Sequence, residues 1–97
     1  MMFMVIERFR DRNAEPVYRR FREHGRMMPD GLHYVGSWIE TNFDRCFQLM
    51  ECDDEGLFAD WIANWNDLAD FEVVPVATSE DMQKTLFPRA SVAQCQA

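Results

Sequence analysis

The segment from Leu32 to Cys52, LHYVGSWIETNFDRCFQLMEC, decides the fold. Two runs rich in aromatic, β-branched and other apolar residues, Leu32 to Thr41 and Arg45 to Cys52, flank Asn42-Phe43-Asp44. Two such runs around a short polar turn predict a β-hairpin. Centring it on Phe43 pairs Ile39 with Phe47, Trp38 with Gln48, and Ser37 with Leu49. Side chains alternate along a strand. One face then carries Val35, Ile39, Phe47 and Leu49 and is expected under the helices. The other carries Tyr34, Gly36, Trp38, Cys46, Gln48, Met50 and Cys52 and is expected to stay open.

Upstream, Met2 to Phe9 (MFMVIERF) reads as a strand. Asn13 is a candidate N-cap, with Glu15 and Pro16 in the first turn of a helix reaching about Met28. Its apolar stripe is Val17, Phe21, His24 and Met28, and Pro29-Asp30-Gly31 stops it. Downstream, Asp53 and Asp54 begin a helix with Leu57, Phe58, Trp61, Ile62, Trp65 and Leu68 at spacings of three and four. Phe71 to Ala77 is a fourth strand, and Pro75 inside it assigns it to a sheet edge. Ser79 to Phe87 predicts a short third helix. Residues 1–87 are expected to form one domain and residues 88–97 a flexible tail.

The order β-α-β-β-α-β, with short connections and right-handed crossovers, predicts an α+β, ferredoxin-like fold. Its four-stranded antiparallel sheet has the order 4-1-3-2, with the helices on one face. Strand four is then an edge, as Pro75 requires. An open face carrying Tyr34, Trp38 and Met50 is too apolar for solvent. A second copy is the simplest cover, which predicts a homodimer of the dimeric α/β-barrel kind.

A chain of 97 residues and 11.5 kDa has room for one core. Ten basic against 17 acidic residues give a net charge of -7, which excludes a general nucleic-acid binder. The arginines are nonetheless concentrated: residues 1–29 hold seven of them against four acids. This predicts either a solvated first helix against an acidic second half or an anion-binding surface. No apolar run approaches the roughly 20 residues that span a bilayer. Met1 to Ile6 is followed at once by Glu7, Arg8 and Arg10, unlike a signal peptide. No membrane association is expected. Cys46 and Cys52, six residues apart in one strand, lie about 20 Å from each other, beyond disulfide reach. Cys95 makes the count odd. Reduced thiols and a cytoplasmic location are the expectation.

The runs MFMVIERF, VYRRFREHGRMMPDGLHYVGSWIE and DRCFQLMECDDEGLFADWIANWNDLADFEVVPV carry a resemblance over about residues 2–80. Glu7, Gly31 with Tyr34 and Trp38, the segment Cys46 to Glu51, and the Trp61/Trp65 helix fit together. In these features the chain resembles the bacterial domain of unknown function 3303 family. The resemblance implies a ferredoxin-like fold of the dimeric α/β-barrel kind, and it implies no catalytic residues.

The chemistry on offer is sparse. His24 on the first helix and His33 at a strand start have no partners at metal-ligand spacing, so no metal is expected. The single glycines build no phosphate loop, the sequence has no nucleophile elbow, and no cofactor is expected. Glu7 stands out as a carboxylate in a central strand, which needs a partner or water. It is either a general base with a raised pKa or the ion-pair partner of Arg45 or Arg8. Trp61 and Trp65 read as core, or as one wall of a groove or a dimer contact. The expected ligand site is Tyr34, Trp38, Gln48 and Met50 with Glu7, on the open face against the partner. The leading function is small-molecule binding by the homodimer. The alternatives are a metal-free, cofactor-independent enzyme of the oxygenase or isomerase type, and a non-catalytic interaction module using the Arg-rich helix.

Overall fold

Strand β1, Met2–Phe9, occupies the middle of the sheet in a computed structural model that describes residues 1–88. It pairs antiparallel with β3, Arg45–Glu51, on one side and with β4, Ala69–Val76, on the other. β2, His33–Ile39, adds to the outer edge of β3, giving the order β2-β3-β1-β4. Read from the other edge, this is the 4-1-3-2 order of a ferredoxin-like α+β fold. Pro75 sits opposite Phe3 on the edge strand, where its missing N–H costs no ladder bond. The expectation of a loose tail falls, beyond Pro88, on residues 89–97, outside the described residues.

Helix α1, Glu15–His24, starts where Asn13 Oδ1 accepts from the Glu15 amide at 3.1 Å, with Pro16 in its first turn. It ends earlier than the apolar stripe suggests. Gly25 turns out of the helix at φ 69°, and Met27 follows in the left-handed region at φ 55°. His24 is therefore the last helical residue and lies exposed, not on a buried stripe. Helix α2, Gly56–Ile62, is also shorter than its pattern; irregular turns carry Trp65 and Leu68 to β4. Asp54 Oδ1 accepts from the Gly56 amide at 2.9 Å. Helix α3, Ser79–Leu86, is capped by Thr78, whose hydroxyl accepts from the Asp81 amide at 3.1 Å.

The core lies between the sheet and α2. Phe3, Val5, Met50, Cys52, Phe58, Trp61 and Trp65 are buried there together with Leu32. Phe3 meets Phe58 edge-on at 5.1 Å, and Trp61 meets Phe71 at 5.5 Å. Each such aromatic contributes about 1.5–3 kcal/mol by leaving water. Cys46 and Cys52 are both free thiols.

The strand faces correct the expectation. The hairpin pairs Ile39 with Cys46, Trp38 with Phe47 and Ser37 with Gln48, one residue off the Phe43-centred register. The loop holds Phe43 at φ 64°, and Glu40 closes it by donating to the Arg45 carbonyl at 2.8 Å. A one-residue slip exchanges the faces. Gln48, Met50 and Cys52 are buried under the helices, whereas Phe47 and Leu49 belong to the open face. A bulge at Val35 resets the alternation, so Tyr34 pairs with buried Met50 while Trp38 stays on the open side, 58% exposed.

Gly31, at φ 93°, brings the chain into β2, and a Cβ there would stand 3.1 Å from Leu57 Cδ1. Gly31→Ala is therefore expected to destabilise the fold by about 1–3 kcal/mol through backbone strain alone. Urea titration measures it; an unchanged midpoint would contradict this account of the turn.

Candidate functional site

Under α1 the sheet is not fully covered. A half-open cleft of about 90 Å³ lies between α1, α2 and the helix side of β1 and β3. Glu7 and Gln48 form its polar floor, Val17, Tyr18 and Phe21 its α1 wall, and Trp61 and Trp65 its inner end. Phe9, Arg26, Ser37 and Cys46 complete the lining. The cleft exists because α1 presents Tyr18 and Phe21, both about 40% exposed, instead of side chains driven into the sheet.

Glu7 is only 4% exposed, in the central strand. Its direct cross-strand neighbour is Cys46, which puts Gln48 on the diagonal. Gln48 Nε2 donates to Glu7 Oε2 at 2.7 Å. Gln48 Oε1 faces Arg26 Nε at 3.5 Å, the long limit of a hydrogen bond. A carboxylate on one side and a guanidinium on the other leave a single sensible orientation for the amide. The other Glu7 oxygen takes no hydrogen bond among the described residues.

Arg26 is fixed from two directions. Its carbonyl accepts from Trp61 Nε1 at 2.9 Å and from Trp65 Nε1 at 3.0 Å. Asn64 Nδ2 donates to the next carbonyl, Met27 O, at 3.1 Å. Its guanidinium carbon lies 3.6 Å from the Tyr34 ring centre and 4.9 Å from that of Phe21. Tyr34 is held in turn by a 2.7 Å hydrogen bond between its hydroxyl and Ser37 Oγ. On the far side of α1, Arg20 grips Asp67 with both Nη atoms, at 2.7 and 2.8 Å.

The electrostatics follow from burial. Burial pushes the Glu7 carboxyl above its ordinary value, against the Gln48 hydrogen bond and the Arg26 charge, which pull it down. Burial, then the nearby Glu7 charge, pushes the Cys46 thiol up to about 12. The Tyr18 phenol is likewise raised, first by burial and then by Cys46 and Glu7. Cys46 and Tyr18 are thus neutral donors at physiological pH, not nucleophiles.

Of the residues expected at the site, Glu7 and Gln48 are brought together, Tyr34 joins them through Arg26, and Met50 lies in the adjoining core. Trp38 is on the opposite face, because the register and the bulge separate it from Gln48. Neither ion-pair partner considered for Glu7 is used: Arg45 grips Glu40 at 2.6 Å, and Arg8 lies on the other alternation. Arg26, Tyr18, Phe21 and Cys46 were not legible as site residues. The one available signal was Gly25, which ends the helix and frees Arg26 from helical spacing. Among the described residues no group of three or more His, Cys, Asp or Glu is placed to hold a metal ion. No helix among them is long and apolar enough to cross a membrane.

Two measurements test this geometry. The folded chain holds the Glu7 proton more tightly than the unfolded chain. Its contribution to stability is therefore present at low pH and lost as pH rises through the folded pKa. Glu7→Gln is expected to be more stable than the parent at about pH 7, with the difference shrinking toward about pH 4. Equal stability throughout would show that Glu7 is solvated. With a pKa of about 12, Cys46 is a thiolate in only about one molecule in ten thousand at pH 8. Iodoacetamide is expected to label it at least about a hundredfold more slowly in the native than in the unfolded chain. Comparable rates by peptide mapping would contradict the burial.

A family described as a domain of unknown function, DUF3303, matches residues 1–89. No curated protein matches the chain. With nearly its whole length covered by that match, the chain belongs to the DUF3303 family.

Proposed function

We propose that this chain is a small-molecule-binding protein whose ligand sits in the cleft under α1, and that it works as a homodimer. The observation that carries the first half is Glu7: a buried carboxylate on the floor of an open cleft, with one oxygen uncommitted among the described residues. A protein that needed only stability would fill that position with an apolar residue, since burying a lone carboxylate costs several kcal/mol. Ligand sites are typically apolar clefts with a few placed polar groups. Phe9, Val17, Phe21 and Trp65 around Glu7, Gln48 and Arg26 are such a set.

The second half rests on the face without helices. Met4 and Ile6 of β1, Phe47 and Leu49 of β3, Val74 of β4 and Trp38 of β2 lie on it. Strands about 4.8 Å apart and about seven residues long make a face of roughly 450 Å². A stable interface buries about 800 Å² per partner. Outside the sheet, Met82 and Leu86 of α3 are also exposed, at 51% and 73%.

A second reading, a metal-free acid–base enzyme, is favoured by the same Glu7, whose raised pKa suits proton transfer. The interaction-module reading has less support. Arg10, Arg12, Arg19 and Arg20 pair with Asp70, Asp44, Glu15 and Asp67 of the same chain.

Fragments of up to about ten heavy atoms, screened at millimolar concentration, are expected to shift the Gln48 side-chain amide and the Trp65 indole in ¹H–¹⁵N spectra. A library that moves neither would sink the binding reading. Light scattering is expected to give about twice 11.5 kDa, and Leu49→Glu, on the open face, to halve it. A parent that is a clean monomer at micromolar concentration would remove the dimer.

A further inference from the structure

The geometry points to a small monocarboxylic acid bearing a hydrogen-bond donor as the ligand of the cleft: its carboxylate on Arg26, its donor on Glu7, its carbon body against Val17 and Trp65. The inference rests on the binding reading above and adds the chemical class.

Arg26 supplies the first anchor. It is half-buried, two aromatic rings stack on its guanidinium, and only the Nε edge is engaged, weakly, by Gln48. Among the described residues no carboxylate lies within ion-pair distance of it, in contrast to Arg10, Arg12, Arg19, Arg20 and Arg45. A guanidinium whose ring contacts cover its faces is approached along its edge, where two parallel N–H bonds match a carboxylate. The clamp on the Arg26 carbonyl fixes the start of this side chain, so little freedom is lost on binding.

Glu7 supplies the second anchor. Its Oε2 is taken by Gln48, and its other oxygen is left for a donor. The Gln48 amide spans the two groups, so the anchors stand about one amide apart, as do the carboxylate and hydroxyl or amino group of a small substituted acid. Phosphate fits less well: a second negative charge would face Glu7 with no second cation in the lining. The size agrees. An engineered apolar cavity of about 150 Å³ takes benzene with its roughly six heavy atoms, so about 90 Å³ encloses roughly four, and the rest of a small acid extends through the open mouth.

The test is an NMR titration of the full chain at constant ionic strength with five probes: 2-hydroxybutyrate, butyrate, 1,2-butanediol, n-butylammonium and inorganic phosphate. The Gln48 side-chain amide and the Trp61 and Trp65 indoles report. 2-Hydroxybutyrate is expected to bind tightest, at least about fivefold better than butyrate, with the other three weaker still. In Arg26→Gln the affinity for both acids is expected to fall at least about tenfold. That variant keeps the backbone carbonyl, so unchanged indole shifts in the free protein certify its fold, and Arg26→Lys, which keeps the charge without the fork, is expected to recover only part of the loss. Tighter binding of the diol, the amine or phosphate, or acid binding indifferent to Arg26→Gln, overturns the ligand class while leaving a binding cleft. Silence from all five probes, with other fragments still shifting the reporters, overturns the class as well. Silence from every fragment removes the binding reading beneath it.

Discussion

One backbone carbonyl organises this molecule. Arg26 O accepts from two indole N–H groups, Trp61 and Trp65, at 2.9 and 3.0 Å. Each tryptophan needs a partner for its polar tip once its ring is buried. The same oxygen, with two lone pairs, satisfies both. The consequences run in two directions. Toward the core, the rings are fixed at the inner end of the cleft, and Trp61 packs against Phe71 of the edge strand. Toward α1, the chain after Gly25 is held in a left-handed turn at Met27 that a non-glycine residue adopts only at a cost. With the helix ended at His24 by Gly25, this turn brings the Arg26 side chain in among Phe21, Tyr34 and Gln48.

The cleft follows from that arrangement. With its C-terminal end tied to α2 and its outer face tied by Arg20 to Asp67, α1 bridges the sheet without closing on it. Space is left above β1 and β3, where Glu7 and Gln48 point at the helix layer. Buried polar pairs are worth little in stability unless every member is satisfied. Here one carboxylate oxygen is left over among the described residues. In the binding reading proposed above, the stability given up at Glu7 is what leaves the cleft a free acceptor.

Much of the fold was legible. The apolar run Met2 to Phe9 coincides with β1, and Pro75 marks β4 as the edge strand. The strand faces were not legible. At the centre of β3 both alternations offer apolar residues: Phe47 and Leu49, flanked by Arg45 and Glu51, against Cys46 and Met50 around Gln48. Hydrophobicity favours burying the purely apolar pair. The protein buries the mixed set, because Glu7 and Arg26 satisfy Gln48 from an adjacent strand and a distant loop. No local pattern carries that information. The bulge at Val35 is equally silent, and it moved Tyr34 to the site side while leaving Trp38 outside. For the site itself, Glu7 was legible as a carboxylate in a central strand. Arg26 was not, since its position depends on two tryptophans 35 and 39 residues later.

The double hydrogen bond at Arg26 can be observed directly. A long-range HNCO experiment on the deuterated protein detects scalar coupling across N–H to carbonyl hydrogen bonds. The account predicts that the Trp61 and Trp65 indole nitrogens both correlate with one carbonyl carbon, that of Arg26, and that both indole protons exchange slowly with solvent. Indole protons that exchange at the rate of free tryptophan, or that correlate with a different carbonyl, would contradict it.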